Sequence, residues 1–311
     1  MTNRAQKPRR KKPVLCIGSA TIDNIYGMAK IPTEPTKVLA GQFRQISGGM
    51  AANAAAAIVR LGGQASFSGR IGDDFGGRFF LDDMEAAGVD VSRVQKLAGR
   101  QTTISSILID DEGERLVCSF CDPEMENDLT WLDAEFVACF GAVLVDVRWP
   151  EAAEKCLRIA GQQKIPAVLD ADIAEVSIIN TLLPLASHPV FSETAFLQFT
   201  GSQTINDGLA RISQDTDGFV GVTLGKDGVR WIADGAFGSV TAPEIHAVDT
   251  LGAGDVFHGA FALALCEGKD HDAAARFATV AASLKCTRFG GRLGTPTRSE
   301  VDGFCTPMRN D

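Results

Sequence analysis

Short apolar runs alternate along the chain with longer stretches that have the composition of helices. The apolar runs are five to seven residues long and rich in β-branched side chains, as in strands that are buried on both faces. The alternation predicts an α/β fold in which helices cover both faces of a parallel-rich sheet. We predict strands over 14–18, 65–71, 142–147, 167–172 and 219–224, and helices over 50–61 and 78–87.

Two segments break this alternation. Residues 37–46 have the pattern of a strand, and residues 102–109 and 114–120 alternate in polarity around 110–113, which is typical of a β-hairpin. Because both segments interrupt the alternation, we expect them to form a small β-sheet lid over the site, at about 33–46 and 98–122. Such a lid can exclude water from a reaction. The alternatives are an edge extension or a dimer surface, and we expect a homodimer through the lid.

Composition narrows the class of protein. The chain has 311 residues with 45% hydrophobic content, enough for one large α/β domain or two small ones. No apolar run approaches the roughly 18 to 20 residues that cross a bilayer, so we expect no membrane contact and no signal peptide. The eight cysteines are scattered, which favours reduced thiols and a cytoplasmic location. Cys118 and Cys121 form a CxxC without a second pair, so zinc is not expected.

Charge is unevenly distributed. The first thirteen residues contain six basic side chains and no acidic one, so all 39 acidic residues lie in the remainder. We expect residues 1–13 to be a disordered basic tail and 14–307 to be the folded domain. An acidic body does not suit a protein that follows phosphate backbones, so we expect no nucleic acid partner.

The most informative motif lies at 248–261. The apolar run 256–267 ends at Gly268 and predicts a buried helix that begins near Ala253. The amides of Gly252, Ala253 and Gly254 would then be unpaired first-turn donors that attract an anion. Asp255, in the same turn, either caps the helix or removes a proton from an attacking hydroxyl.

A second glycine cluster opens the first long helix. Gly48 and Gly49 precede Asn53 by about one turn, which places an amide beside bare backbone. Such an amide suits a sugar, whose hydroxyls need both donors and acceptors, although close helix–sheet packing also explains the small residues. Asp23 follows the first predicted strand, where ligands gather in α/β folds.

Together these motifs resemble the ribokinase or pfkB family of sugar kinases, from Val14 to about Pro307. The amino-terminal motif resembles the family signature at 48–53, 61–63 and 69–76, and the carboxy-terminal motif at 249–261. Residues 222–225 with Gly228 resemble the strand and turn that receive the nucleotide. The resemblance implies a ribokinase-like α/β fold and an ATP-dependent sugar kinase.

The resemblance also implies roles for individual residues. Asp255 would be the general base and the amides of Gly252, Ala253 and Gly254 the anion hole. The implied sugar contacts are Asp23, Gly48, Gly49 and Asn53, and the implied nucleotide contacts are Thr223, Gly225 and Gly228.

The metal sites follow the family pattern less closely. Mg²⁺ would bridge the ATP phosphates, but Ser192 and Ala195 stand where the family usually has Asn-x-x-Glu, so that Glu193 is the remaining carboxylate. Asp249 and the segment 288–296 resemble the region that binds a monovalent cation, K⁺, in some members.

Two basic side chains are predicted to lie near the bound substrate. Arg148 follows a predicted strand and Lys37 begins the predicted lid, so both would favour an anionic substituent. Several segments resemble the sulfofructose kinase branch, which implies 6-deoxy-6-sulfofructose or another acidic ketose, although Ser119 replaces an Asn of that branch. For Arg148 the alternative is an ion pair with Glu151 or Asp146. For the substrate the alternatives are fructose, ribose, 2-keto-3-deoxygluconate or a sugar phosphate. For the function the alternative is a non-catalytic regulator that binds sugar or nucleotide.

Overall fold

The computed structural model describes residues 12–126, 128–214 and 218–305. The strands are β1 Val14–Ile17, β2 Thr21–Met28, β3 Gln42–Gly48, β4 Ala65–Ser68, β5 Arg70–Gly72, β6 Gln95–Leu97, β7 Thr103–Asp110, β8 Arg115–Phe120, β9 Ala142–Asp146, β10 Ala167–Ala171, β11 His188–Ser192, β12 Phe219–Thr223, β13 Val229–Ala233 and β14 Ala236–Val240. The α-helices are α1 Met50–Arg60, α2 Phe75–Ala86, α3 Ala134–Val137, α4 Pro150–Gln163, α5 Val176–Leu182, α6 Glu193–Thr200, α7 Ile205–Ile212, α8 Ala253–Cys266, α9 His271–Cys286 and α10 Arg298–Cys305.

The main sheet has eight strands in the order β14-β13-β12-β11-β10-β9-β1-β4. The six strands from β12 to β4 pair in parallel, and β13 and β14 extend one edge as antiparallel strands. The predicted parallel-rich sheet is therefore confirmed. The carboxyl ends of its parallel strands meet at one edge of the sheet, where α/β folds bind ligands.

Helices cover both faces of this sheet, as predicted. In β1 the side chains of Val14 and Cys16 pack against one core, which contains residues of α1, α8 and α9. The alternate side chains of Leu15 and Ile17 pack against the second core, which contains residues of α4, α6 and α7. Successive strand residues point to opposite faces, so a short apolar run without alternation is what this position requires.

A separate four-stranded sheet, here called the small sheet, has the order β3-β2-β7-β8. The hairpin predicted over 102–109 and 114–120 forms β7 and β8. The strand predicted over 37–46 is shorter at its start, because β3 pairs with β2 only from Gln42 onward. Lys37 therefore precedes the strand in an exposed segment. The strand β2, which follows β1 directly and joins the small sheet, is not among the strands predicted from the sequence.

Two other predicted boundaries differ from the structure, and a third agrees with it. The strand predicted over 65–71 is interrupted at Gly69, so β4 belongs to the main sheet and β5 pairs with β6. The helix predicted over 78–87 begins earlier, since Asp74 caps α2 by accepting a hydrogen bond from the Gly77 amide at 2.7 Å. The helix predicted to begin near Ala253 does begin there.

The predicted basic tail lies mostly outside the described residues, as do residues 306–307 of the predicted domain. The last two residues of the predicted tail contact the folded domain. Lys12 Nζ donates to Ala138 O at 2.7 Å, and Pro13 O accepts from the Gly141 amide at 2.9 Å. Among the described residues, no helix has both the length and the apolar character that a membrane span requires.

Candidate active site

The start of α8 carries the predicted anion hole. Gly252 caps the helix with φ of 74°, a left-handed conformation that favours glycine. The Ala253 amide donates to Thr250 O at 3.2 Å, so the prediction that this amide is unpaired is wrong. The amides of Gly252 and Gly254 have no acceptor within the described ranges. Gly254 is exposed, and a side chain added there would contact nothing within 4 Å.

Asp255 and Asn53 meet across this helix start. Asn53 Nδ2 donates to Asp255 Oδ2 at 2.7 Å, which joins the first turns of α1 and α8. The opposite atom of the amide, Asn53 Oδ1, is buried without a hydrogen-bond partner in the described residues. A buried acceptor without a donor is costly in a folded protein. Asn53 therefore has one open position beside the carboxylate, and a ligand hydroxyl can fill it.

The electrostatic environment of Asp255 favours proton capture. Burial, and after it the nearby Asp170 carboxylate, raise the pKa of Asp255 to about 8, although the Asn53 hydrogen bond lowers it. Asp23 acts in the same direction as Asp170. A base whose pKa lies near neutrality can take a proton during the reaction and release it afterwards.

Asp170 lies one residue before the end of β10 and contacts His258 of α8. Burial and the neighbouring Asp172 and Asp146 carboxylates raise the pKa of Asp170 well above its ordinary value. The Oδ2 atom of Asp170 lies 3.4 Å from His258 Nδ1, and the same nitrogen lies 2.7 Å from Gly254 O. The ring thereby ties the first turn of α8 to the sheet edge. Neither Asp170 nor His258 is among the site residues predicted from the sequence.

Asp146, at the end of β9, organises the neighbouring backbone. Its carboxylate accepts hydrogen bonds from the amides of Ser19, Ala51 and Arg148 at 2.9, 3.1 and 2.8 Å. A side chain at Gly18 would overlap this carboxylate, which explains the glycine there. Asp146 is fully buried and its oxygens are occupied, so we interpret it as a structural residue that fixes the end of β1 and the start of α1.

Asp23 lies in β2 of the small sheet and faces the second glycine cluster. Its carboxylate accepts from Thr21 Oγ1 at 3.0 Å, and burial raises its pKa. A side chain at Gly48 would overlap Asp23 Oδ2, and one at Gly49, whose φ is 105°, would overlap Ser19 O. Both glycines are thus required by close approach. The structure brings Asp23, both glycines and Asn53 to the same edge as Asp255.

The two predicted substrate cations are exposed. Arg148 follows β9, and its guanidinium has no carboxylate within 4 Å among the described residues, so the alternative of an ion pair with Glu151 or Asp146 is wrong for this structure. Its charge nevertheless lowers the pKa of Asp170. Lys37 has no ion pair in the described ranges either, and no hydrogen bond joins it to Asp255 or Asn53. Ser119 Oγ lies 2.9 Å from Ser105 Oγ, and Ser105 in turn hydrogen-bonds Asp23.

The residues predicted to contact the nucleotide lie at the end of β12, two strands away from β10. Thr223 Oγ1 donates to Phe191 O at 3.3 Å. Gly225, with φ of 54°, is exposed, and a side chain there would contact nothing within 4 Å. Gly228 is buried, and a side chain there would overlap Val240 O. Gly225 therefore borders open space, while Gly228 is required by the turn into β13.

Glu193 begins α6 and is exposed. Ser192 caps this helix, and its hydroxyl donates to Asp172 Oδ1 at 3.0 Å. The described residues contain no group of three or more His, Cys, Asp or Glu side chains that could hold a metal. A lone carboxylate still suits Mg²⁺, which keeps several waters and binds chiefly through substrate phosphates.

Comparison with known proteins identifies the family. Residues 11–298 match the family described as pfkB family carbohydrate kinase. The chain is 30% identical to a ribokinase from Bacillus subtilis over 291 residues, which are 93% of this chain and 98% of that one. It therefore belongs to the pfkB family of carbohydrate kinases. As in the family, its reaction class is phosphoryl transfer to an alcohol.

Solved structures agree with this membership. A putative ribokinase from Agrobacterium tumefaciens superposes with a TM-score of 0.91 and 43% identity, covering 94% of this chain and 97% of that one. Ribokinase from Arabidopsis thaliana, solved with ribose and ATP, superposes with a TM-score of 0.80 and 26% identity, covering 94% and 98%. The ribokinase-like fold predicted from the two motifs is confirmed.

Two further residues connect the parts of this pfkB kinase site. Arg292 donates to Ser47 O at 2.9 Å and to Asp83, so it joins the carboxy-terminal turn to the strand before Gly48. The fully buried Lys285 donates to Asp249 O at 2.7 Å. Neither role could be predicted from the sequence, because a buried Arg or Lys is rare and only its burial distinguishes it from a surface residue.

Proposed function

We propose that this chain transfers the γ-phosphoryl group of ATP to a sugar hydroxyl, with Asp255 as the general base. The observation that carries the proposal is the pair of Asn53 and Asp255 at the start of α8. One carboxylate with a raised pKa and one buried acceptor without a donor lie side by side there. A sugar offers adjacent hydroxyls, so one hydroxyl can donate to Asn53 Oδ1 while its neighbour reacts.

The proposed reaction proceeds in one step. Asp255 accepts the proton of the sugar hydroxyl while that oxygen forms a bond to the γ-phosphorus, and the bond from this phosphorus to its bridging oxygen breaks. The products are the sugar phosphate, ADP and a protonated Asp255. The amides of Gly252 and Gly254, at the positive end of the α8 dipole, stabilise the charge on the transferred group.

We place ATP along the ends of β11 and β12, where Gly225 leaves open space for a ligand and Thr223 ends its strand. Gly228 is buried, so we expect it to shape the turn into β13 without touching the nucleotide. Bound Mg²⁺ would neutralise phosphate charge, and Glu193 is the carboxylate that we assign to it. A monovalent cation is left out of the proposal, because Asp249 already contacts the Lys285 ammonium.

For the substrate we propose an acidic ketose such as 6-deoxy-6-sulfofructose. The supporting observation is that Arg148, beside the buried carboxylates at the ends of β9 and β10, is exposed and has no ion pair in the described ranges. An anionic substituent would supply that partner. Lys37 would contact the same substituent only if its segment approaches the bound sugar, so its assignment rests on the resemblance alone.

A neutral sugar is the second candidate. The alignment with the Bacillus subtilis ribokinase, at 30% identity, covers almost the whole of both chains, and the Arabidopsis thaliana ribokinase was solved with ribose. In that case Arg148 would lie outside the sugar site. A non-catalytic regulator that binds ATP without consuming it is the remaining alternative.

We also propose a homodimer through the small sheet and a cytoplasmic location. The outer strand β8 is exposed along its whole length, and the exposed apolar side chains of the small sheet would be covered by a second copy. They include Phe43, Leu116, Val117 and Phe120, each close to half exposed. The seven cysteines from Cys16 to Cys286 are free thiols, as in a reducing compartment.

The substrate is tested by measuring ADP release with Mg·ATP and each of five sugars. The panel is 6-deoxy-6-sulfofructose, fructose 6-phosphate, fructose, ribose and 2-keto-3-deoxygluconate. Turnover that is best with an acidic ketose and falls in Arg148→Gln supports the proposed substrate. Turnover only with a neutral sugar supports the second candidate, and ATP binding without turnover of any sugar supports the regulator.

A further inference from the structure

The ammonium group of Lys285 is buried in the last turn of α9. The Lys285 side chain is completely buried, and its Nζ atom donates to Asp249 O at 2.7 Å and lies 3.4 Å from Asp249 Oδ2. Buried lysines are rare unless they are paired, because removing an ammonium from water is costly. This side chain therefore marks a place where the fold needs a positive charge.

Asp249, the partner of Lys285, already accepts hydrogen bonds at both carboxylate oxygens. Asp249 Oδ1 accepts from the Leu251 amide at 2.7 Å, and Oδ2 accepts from the amides of Gly290 and Gly291, both at 2.9 Å. Both the carboxylate and the carbonyl oxygen of Asp249 thus have donors. Burial lowers the pKa of Lys285, while the Asp249 charge raises it, and both contacts are with oxygens that accept hydrogen bonds, which suits the ammonium form.

The family resemblance led us to expect K⁺ at Asp249, but these residues do not fit a bound monovalent cation. Such an ion needs oxygen ligands, and the oxygens of Asp249 that face this space already contact the ammonium and three amides. A second cation beside a buried ammonium would also be repelled. The side chain and the ion would compete for one position.

The same contacts hold the turn that leads into the anion hole. Asp249 fixes the Leu251 amide, and Gly252 follows as the cap of α8. On the other side, Asp249 fixes the turn at Gly290 and Gly291, whose neighbour Arg292 reaches Ser47 O. A single buried charge pair therefore connects both backbone turns that flank Asp255.

We propose that the Lys285 ammonium is a built-in monovalent cation that positions the 249–252 turn, so that turnover needs no added K⁺. Lys285 is a positioning residue, because it acts through Asp249 and not on the sugar or the phosphate. The proposal rests on the proposed kinase function for its activity readout, but the binding of a replacement cation can be measured without it.

The test compares the wild type with two variants. Lys285→Ala opens the space of the side chain, whereas Lys285→Met fills it with an uncharged chain of similar length. The matched control is Lys155→Ala, because Lys155 Nζ also donates to a backbone carbonyl, Leu129 O at 2.6 Å, but on α4. Rates and thermal midpoints are measured in KCl, ammonium chloride, methylammonium chloride and tetramethylammonium chloride at equal ionic strength.

We expect the wild type and Lys155→Ala to have the same kcat in all four salts. Lys285→Ala should lose about 10²-fold in kcat in tetramethylammonium, the size expected for a displaced catalytic turn. K⁺, ammonium or methylammonium should restore part of this loss and raise its thermal midpoint. Lys285→Met should be slow in every salt, because its side chain blocks the site.

Three results would overturn the proposal: a severalfold activation of the wild type by K⁺, a Lys285→Ala variant with full kcat, or a slow variant that no small cation restores. If Lys285→Ala does not fold, the wild-type comparison of K⁺ with tetramethylammonium still decides. If the wild type turns over no sugar, the proposed function fails separately, and the thermal midpoints of Lys285→Ala still report whether K⁺ or methylammonium replaces the ammonium.

Discussion

Turnover should depend on pH through Asp255. The pKa of about 8 in the ligand-free protein means that roughly one tenth of the carboxylate is ionised at pH 7 and about half at pH 8. If Asp255 must be ionised to accept the proton, kcat/KM for the sugar should rise about fivefold from pH 7 to pH 8 and less than about twofold above it. The cause is burial beside Asp170, which disfavours the charged form.

The assay is the initial rate of ADP formation at low sugar concentration, with Mg·ATP saturating and the coupling enzymes in excess at every pH. Asp255→Asn keeps the size of the side chain and removes the base. We expect it to lose about 10²-fold to 10⁴-fold in turnover, with a residual rate that no longer rises with pH. A wild-type profile that is flat from pH 6 to pH 9, or an Asp255→Asn variant with near-normal turnover, would refute the role of Asp255.

The same raised pKa has a consequence for stability. Because the folded protein holds this proton more tightly than the unfolded chain, the contribution of Asp255 to the free energy of unfolding is full below about pH 4 and is lost as pH rises through about 8. Asp255→Asn lacks this loss. Denaturant unfolding should therefore show the stability of the variant rising relative to that of the wild type by about 4 kcal/mol between pH 5 and pH 9, because each pH unit below the folded pKa corresponds to about 1.4 kcal/mol. An unchanged difference would show that the pKa is not raised.

Three further substitutions test the sugar site. Asn53→Leu should lower kcat by about 10²-fold, because it removes both the donor to the base and the open acceptor, and an unchanged kcat in steady-state kinetics would contradict this. Gly48→Ala should raise KM for the sugar at least about tenfold and leave KM for ATP unchanged, since the added methyl overlaps the carboxylate that it faces, whereas Gly161→Ala should change neither. Arg148→Gln should raise KM for an anionic sugar by about 10-fold to 100-fold, while Arg158→Gln, which removes an exposed ion pair, should not, and equal effects would remove Arg148 from the site.

The parts of the fold that local pattern determines could be predicted from the sequence. The buried strands, the helix at Ala253 and the hairpin at 102–120 each depend on short-range periodicity and turn residues, and each is present. The strand β2 was missed because Thr21–Met28 lies between β3 and β7 in the small sheet, and β7 is far away in the sequence. Long-range pairing leaves little signal in a single segment.

Among the site residues, too, those in local motifs could be predicted and those that depend on distant elements could not. Asp255, Asn53 and Gly48 lie in motifs that can be recognised, and the structure brings them together. Asp170 and Lys285 gain their importance only from burial and from charges contributed by other elements, which no spacing in the sequence reveals. Lys37 shows the opposite case, because its position before a lid strand looked informative but the strand begins later.

The most direct test of the central claim is to incubate the protein with Mg·ATP and the sugar panel and to detect the sugar phosphate by mass spectrometry, beside Asp255→Asn at the same concentration. The account predicts one phosphate added to a sugar and one ADP formed per turnover, and almost no product with the variant. Equal product from both proteins, or ATP that binds to the wild type and is not consumed with any sugar, would contradict it.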